Sequence, residues 1–450
     1  MGIREVIKKK NASVGFFGLG GSNTGVIEYL KKLNPSIRQT LRSDTPIDES
    51  FRDSASRVLT QGDALRDIDE DVVFLSPSVR RGRKELAEAQ KRGVLLSSDA
   101  ELFFELTGTL PIVVTGSDGK STTTHLIAKA RTLSGIISEP CGNYGRALTS
   151  LLDTDIFPVA ELSSFQLSYF TPQSSYTIIT NITPNHLNWH ASFEEYLEAK
   201  MNAAVNAERI VFDADCKHVG KALAEREVYA KVSLAKSHAS LRAMGGAENF
   251  VTFKNGIIYV NGTPYLDASG ARRRESYNVR NFMLTVAACM EECSIDAVKE
   301  AITLFPGLPH RAEEFFFSNG VRFIDSSIDS SPERTVKTLS ALLERPIVII
   351  GGLGKGLSLK PLADALPRLT KGAVLMGAVG RELAEILKAR SDSYPFILAQ
   401  SLDEAVRLGC NMAKPEGTLI LSPAATSFDL YKNFSERGKA FKSTVVSLFS

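Results

Sequence analysis

Residues 112–125 read Ile-Val-Val-Thr-Gly-Ser-Asp-Gly-Lys-Ser-Thr-Thr-Thr-His, and they carry the plainest chemistry in the chain. An apolar run stops at Gly116, Ser117, Asp118 and Gly119. Lys120, Ser121 and Thr122 follow, and the next residues, Leu126 to Thr132, suit a helix. A strand, a glycine loop and a helix start, in that order, form a cradle for phosphates. The glycines let backbone N–H groups turn toward the anion, and the helix end adds its positive dipole. Lys120 would reach the β- and γ-phosphates of ATP, and the Ser121 or Thr122 hydroxyl would face Mg²⁺. The usual pattern has four residues between its glycines, whereas here only Ser117 and Asp118 intervene. The plain alternative is a glycine turn with a solvated lysine; the strand before and the helix after favour the phosphate loop.

Further polar groups recur just past apolar runs. Phe157–Leu167 reads as a strand that delivers Glu161 at its C-terminal end, and Tyr176–Ile182 is a second strand that leads to His186 and His190. A helix from Ser192 carries Lys200. Ligands of open α/β sheets bind at the carboxyl ends of the strands, so Glu161 and the glycine loop should meet there. Singly, Glu161 could be a helix cap, His186 or His190 a polar loop residue and Lys200 a solvated lysine. Together with a phosphate loop, Glu161 and His186 read as a metal–phosphate site. Gly20, Gly21 and Ser22 form another strand–glycine turn–helix, suited to a diphosphate or merely a tight turn. Asn278 fits the N-cap of a long apolar helix or a reader of a base edge. Arg311 reads as a linker residue or as an arginine of a mobile domain that approaches phosphates.

The elements that position these groups alternate. After Val14–Leu19 come apolar runs at Arg38–Leu41, Val72–Leu75 and Val94–Leu96, separated by helical stretches, the signature of a parallel sheet. Residues 211–266 look like a hairpin appendage, with short β-like runs at Phe250–Phe253 and Gly256–Val260 and a turn at Val260–Thr263. Beyond Gly307, strands at Val321–Ile324, Ile347–Ile350, Val374–Met376, Phe396–Leu398 and Thr418–Leu421 build a third sheet. Three of its loops, 326–331, 351–356 and 422–428, follow strands and should line one edge. With 450 residues the length suits about three domains, placed at 1–108, 109–306 and 307–450. The composition is globular, with 43% hydrophobic and 23% charged residues; the net charge of +2 gives no footprint for nucleic acid or an anionic membrane. No apolar run reaches membrane-span length. Five scattered cysteines without a CxxC motif read as core residues of a reducing compartment, the cytoplasm; Cys289 and Cys293, four apart, could also pair on a metal.

Taken together, the chain resembles the Mur ligases, ATP-dependent amide-bond-forming enzymes of peptidoglycan precursor synthesis, over nearly its whole length. The stretches that carry the resemblance are Thr115–Thr123 (TGSDGKSTT), Gly142-Asn143 with Gly145, Glu161–Leu167 (ELSSFQL), the His186 loop and Lys200 in EAKM. They continue with Gly307–Arg311 (GLPHR), Gly351–Gly356 (GGLGKG), and Leu421–Phe434 (LSPAATSFDLYKNF) followed by Glu436-Arg437-Gly438. The resemblance is strongest to the branch that adds D-glutamate. It implies an α/β fold of three domains, each on a mainly parallel sheet: Rossmann-like at the N-terminus, P-loop ATPase-like in the centre and Rossmann-like at the C-terminus. It implies ATP and Mg²⁺ as cofactors, UDP-N-acetylmuramoyl-L-alanine and D-glutamate as substrates, and a cytoplasmic monomer with no nucleic-acid or membrane partner.

The resemblance also implies roles. Lys120, Glu161, His186 and Lys200 would be catalytic, with Ser121, Glu161, His186 and a carbamylated Lys200 around the metals. Gly116 to Thr122, Asn278 and Arg311 would bind ATP. Gly20, Gly21, Ser22, Arg42, Ser43, Asn143 and His186 would hold the UDP-sugar, and Ser330, Lys355, Ser427 and Phe434 would hold D-glutamate. Asp118 stands where many relatives have asparagine, and Asn185 where aspartate is common. Ile328 and Ser326 stand where the family pattern has lysine and aspartate, which removes one cationic and one acidic contact. Three alternatives stay open at this stage. One is a sibling ligase for another amino acid, or one like folylpolyglutamate synthase. Another is a non-catalytic nucleotide-sugar binder. The last, a nicotinamide dehydrogenase, rests only on the first glycine turn.

Overall fold

The computed structural model describes residues 2–45, 47, 51, 55–187, 189–354, 356–390, 394–427, 430–431 and 433–449. Three sheets organise the chain. The first contains β1 (Ser13–Phe17), β2 (Arg38–Ser43), β3 (Arg57–Thr60), β4 (Val72–Leu75) and β5 (Leu95–Ser97) in the order β3-β2-β1-β4-β5, all parallel. The apolar runs are legible as strands because both faces of the sheet are covered. Alternate residues enter opposite cores: Val14, Phe16, Val72 and Phe74 on one side, Phe17, Val73 and Leu75 on the other.

The second sheet contains β6 (Ile112–Thr115), β7 (Ser138–Gly142), β8 (Phe157–Glu161), β9 (Gln173–Ile179), β10 (Asn206–Asp213), β11 (Val228–Ser233), β12 (Ala247–Lys254), β13 (Ile257–Val260) and β14 (Thr263–Asp267). Its order is β14-β13-β12-β11-β10-β9-β6-β8-β7, and only the β12–β13 and β13–β14 pairs are antiparallel. The hairpin expected in residues 211–266 therefore exists, but it is no appendage: β10, β11 and β12 run parallel and the hairpin continues the central sheet to its edge.

The third sheet contains β15 (Glu313–Ser318), β16 (Val321–Asp325), β17 (Ile347–Gly351), β18 (Gly372–Met376), β19 (Phe396–Leu398) and β20 (Gly417–Leu421), in the order β15-β16-β20-β17-β18-β19. Only β15 runs antiparallel. The chain divides into two compact units, Met1–Leu304 and Phe305–Ser450. The first two sheets share one unit because Asp99, the first residue of the helix Asp99–Leu106, reaches across. Its buried carboxylate accepts the N–H groups of Leu148 and Thr149 at 2.9 and 3.0 Å and the Thr149 hydroxyl at 2.6 Å. Gly25, in the helix Gly21–Leu33, packs so closely there that a Cβ would lie 2.3 Å from that of Ala147. Among the described residues no helix is long and apolar enough to cross a membrane.

Arg42 corrects the expectation that it contacts a sugar nucleotide. Its side chain is 1% exposed; Nε and Nη2 meet Glu70 Oε1 at 3.0 and 2.8 Å, Nη1 donates to the carbonyls of Ala64 and Arg66, and Nη2 also donates to that of Asp67. It braces the turn after β3. Arg42→Ala would leave Glu70 buried without its partner, which costs about 3–5 kcal/mol. The expected outcome is a loss of that size in chemical denaturation; a near-neutral change would contradict the bracing role.

Candidate active site

The glycine loop leaves β6 between two neighbours, with Val114 paired to Glu161 of β8 and Thr115 to Ile179 of β9. Gly116 has φ +143°, and a Cβ there would lie 2.0 Å from Thr180 Oγ1. The Ser117 N–H donates to the Asn181 carbonyl at 2.7 Å, and the Asp118 N–H to Asn181 Oδ1 at 2.9 Å. The Thr180 hydroxyl donates to the Asp118 carbonyl at 2.6 Å. On the other flank Gly119, at φ +84°, would place a Cβ 2.3 Å from Asn281 Oδ1, which also accepts from Thr123 Oγ1 at 3.3 Å. The loop is thus clasped between Asn181 and Asn281. The helix Lys120–Leu133 follows, and its first-turn amides have no acceptor within the helix. Lys120 Nζ donates to the Ser117 carbonyl at 2.9 Å, so the lysine lies over its own loop.

Glu161 closes one side. It is 1% exposed; Oε1 accepts from Asn143 Nδ2 at 2.9 Å, while Oε2 is buried with no hydrogen-bond partner among the described residues. A buried carboxylate oxygen without a donor is costly unless a cation meets it. Lys200, on the helix Phe193–Met201, is 2% exposed, with Nζ 3.5 Å from Thr115 Oγ1 and 4.9 Å from the centre of the Tyr196 ring. Burial, and then the positive charge of Lys120, push its pKa well below the lysine range, against the pull of Glu161 and Asp118. Burial therefore disfavours the ammonium form of Lys200. Tyr196 also ties this helix to the loop, its hydroxyl 2.8 Å from Ser117 Oγ.

His186 is exposed at φ +55°, its ring 4.9 Å from Phe165. His190 is the buried member of the pair: Nε2 lies 2.9 Å from Ser164 Oγ, the ring packs on Trp189 and Tyr196, and burial lowers its pKa. Asn278 is not an N-cap. The helix Ser276–Cys289 starts before it with Glu275 at the cap position, and the buried Asn278 amide donates to Glu275 Oε2 at 2.9 Å. Asn281, three residues on, is the one that meets the phosphate loop. Its spacing from Asn278 on one helix face was the available signal; Asn181 offered none.

A cavity of about 430 Å³ adjoins this cluster, lined by Gly21, Ser22, Ser76, Asn143, Gly145 and Phe165 among others. The first glycine turn and Asn143 thus share one space. The helix after β1 begins at Gly21, with Gly20 at its N-cap, so Gly21 and Ser22 lie in its first turn, where amides favour an anion. Ser43 is buried, and its hydroxyl accepts the Thr45 N–H at 3.1 Å, closing its own turn.

In the second unit β16, β20 and β17 are neighbours, so the loops 326–331, 422–427 and 351–354 share one edge as expected. Ser330 is half-buried, Ser427 is 3% exposed and Phe434, the first residue of the helix Phe434–Phe449, is 39% exposed. Arg437, on that helix, joins the set: it donates to the carbonyls of Ser327, Ala425 and Thr426 at 2.9–3.0 Å. Arg311 is exposed, next to the buried His310. Ser326 is buried and accepts the Ala312 N–H at 3.1 Å. Asp329 is buried too and accepts from the Ser422 hydroxyl at 2.8 Å; burial raises its pKa. Lys355 lies outside the described residues.

The model of the Mur ligase middle domain matches residues 114–289. A UDP-N-acetylmuramoylalanine–D-glutamate ligase of Acetivibrio thermocellus is 32% identical, covering 98% of this chain and 97% of the relative. The protein of the same name from Symbiobacterium thermophilum is also 32% identical, covering 96% and 97%. Among solved structures, UDP-N-acetylmuramate–alanine ligase of Thermotoga maritima shares the fold at a TM-score of 0.63 and 19% identity, over 97% of this chain and 99% of that one. A pseudomurein peptide ligase of Methanothermus fervidus does so at 0.54 and 16%, over 97% and 100%.

Two outcomes test this geometry. Gly119→Ala combines left-handed strain of about 1–2 kcal/mol with the clash against Asn281, so ATP binding measured by calorimetry should weaken about tenfold or more; unchanged affinity would contradict the clasp. The pKa of Lys200 is lower in the folded than in the unfolded chain, so its burial lowers stability at neutral pH, and that cost fades as pH rises toward the ordinary lysine range. In CO2-depleted buffer Lys200→Met should therefore raise the melting temperature, by less at alkaline pH. A lower melting temperature would contradict the cost of burying this amine.

Proposed function

The chain belongs to the Mur ligase family, and from that premise we propose that it joins D-glutamate to UDP-N-acetylmuramoyl-L-alanine with ATP, releasing ADP and phosphate, in peptidoglycan precursor synthesis. The amino-acid assignment follows the near-full-length relatives of that name. The observation that carries the chemistry is the burial of Lys200 beside Lys120 and Glu161, which disfavours its ammonium form.

A free carboxylate is a poor acyl donor, so the substrate's terminal carboxylate attacks the γ-phosphorus and becomes an acyl phosphate. The amine then attacks the acyl carbon, and phosphate leaves through a tetrahedral intermediate. The protein's task is positioning and neutralising charge. The first-turn amides after Gly119 and the Lys120 ammonium hold the triphosphate. Gly21 and Ser22 take the diphosphate of the UDP-sugar, and Asn143 and His186 take the sugar-linked part. Arg311 contacts the nucleotide; Ser330 and Lys355 take the side-chain carboxylate of D-glutamate, and Ser427 with the Phe434 backbone its α-carboxylate. Arg334 Nη1 lies 3.5 Å from the carbonyl of Ile328, the position where the family pattern has lysine.

The donors present fit Mg²⁺. Glu161 offers a buried oxygen without a partner, and the Ser121 hydroxyl is buried at the helix start. His186 would complete the set. An amine is no ligand for so hard a cation, but a neutral buried amine can add CO2, and a carbamylated Lys200 would present oxygens. The ion would supply charge neutralisation on the transferring phosphoryl group. We place the reaction in the cytoplasm, carried out by a monomer.

Phosphate release with ATP, Mg²⁺ and UDP-N-acetylmuramoyl-L-alanine should depend on D-glutamate and not on L-glutamate, L-alanine or L-lysine. Release with another amino acid would keep the chemistry and overturn the specificity. Binding without release would favour a non-catalytic nucleotide-sugar binder. Lys200→Ala should lose activity and regain part of it with added short carboxylates; wild-type activity in that variant would refute the carbamate.

A further inference from the structure

The second unit contains a chain of three side chains that the roles above leave unused. Asp325, at the end of β16, is fully buried; its Oδ2 lies 2.7 Å from His310 Nδ1, and its Oδ1 accepts the Ser327 N–H at 2.9 Å. His310 Nε2 lies 2.9 Å from Ser435 Oγ. An ionised carboxylate only accepts, so the imidazole carries its proton on Nδ1. The Nε2 lone pair then accepts, and the Ser435 hydroxyl donates. Serine, histidine and aspartate stand here in the order in which, elsewhere, histidine takes the serine proton and leaves Oγ electron-rich.

The surroundings seal the inner pair. At Gly438 a Cβ would lie 2.3 Å from His310 Nδ1 and 2.6 Å from Asp325 Oδ2, so the backbone of the helix Phe434–Phe449 closes over both. Ser435, half-buried in the first turn of that helix, is the outward end of the chain. The charged groups on the elements packed around the ring are accounted for. Glu313 of β15 accepts the His310 backbone N–H at 2.9 Å and pairs with Lys442, whose Nζ is 3.8 Å from Asp325 Oδ2. Arg437 is bound to carbonyls, and Arg311 and Glu436 are chain neighbours of His310 and Ser435.

We propose that Ser435, backed by His310 and oriented by Asp325, takes the proton from the amino group of the incoming amino acid. The inference rests on the ligase reading above. Ser435 follows Phe434 directly, and the amine shares its Cα with the α-carboxylate assigned to the Phe434 backbone. An ammonium has no lone pair and cannot attack. One N–H proton passes to Ser435 Oγ as the Ser435 O–H proton passes to His310 Nε2, and Asp325 stabilises the imidazolium. The freed nitrogen pair forms the C–N bond. The acyl C–O bond breaks, and phosphate departs with its electron pair and the second ammonium proton.

The test compares D-glutamate with hydroxylamine, which is unprotonated at neutral pH, needs no base and intercepts the same acyl phosphate as a hydroxamate. In Ser435→Ala the ratio of D-glutamate ligation to hydroxamate formation should fall about 100-fold, the low end for a lost general base, and recover as pH rises. Ser435→Thr, which keeps the hydroxyl, should hold a ratio near that of the unaltered protein. An unchanged ratio in Ser435→Ala would overturn the relay, and so would a parallel loss of both reactions, the mark of a structural role. Hydroxamate without D-glutamate ligation in the unaltered protein would instead remove the amino-acid assignment beneath it.

Discussion

The site depends on one close approach. The phosphate loop passes between Asn181 and Asn281 with no room for a Cβ at Gly116 or Gly119. Asn181 ties two loop amides from the β9 side, and Asn281 meets Gly119 and Thr123 from the other. With both flanks held, the first-turn amides of the following helix point in a fixed direction, which lets a backbone bind an anion without reorganising. The helix with Tyr196 and Lys200 is referenced to the same loop through Ser117, and Glu161 through strand pairing with Val114. Lys200 is a buried lysine whose ammonium form is disfavoured, a conflict with local rules of the kind that accompanies function.

The second unit solves a related problem by other means. Three loops leave adjacent parallel strands and would splay without a tie. Arg437 supplies it, its guanidinium bound to carbonyls of two of them. The helix that carries Arg437 also presents Phe434 and Ser435, so the residues proposed to meet the amino acid are set against the His310–Asp325 pair by one element. Gly438 lets that helix approach closely enough for both.

Much of this was legible in the sequence because parallel strands buried on both faces appear as uninterrupted apolar runs, and ligand groups sit where those runs end. Glu161, the glycine loop and the three loops of the last sheet follow from that rule alone. What was not legible depends on segments far apart in the chain. Asn181 and Asn281 act only because β9 and a helix a hundred residues later flank one loop. Arg42 ends a strand as a ligand group would, yet a buried Glu70 claims it. Asn278 looked like a cap because capping residue types also occur inside helices, where only the preceding backbone decides. The hairpin at β13 and β14 was visible locally, but its attachment to the central sheet depends on the parallel pairing of β10 to β12.

The most direct test of the acyl-phosphate chemistry is an isotope experiment. UDP-N-acetylmuramoyl-L-alanine labelled with oxygen-18 in its terminal carboxylate would be turned over with ATP and D-glutamate, and the released phosphate examined by phosphorus-31 NMR. The expected result is one labelled oxygen carried into each phosphate, since the carboxylate oxygen that attacks the γ-phosphorus leaves with it. Turnover with unlabelled phosphate would mean that the carboxylate is activated by another route, and would contradict the mechanism assigned to this site.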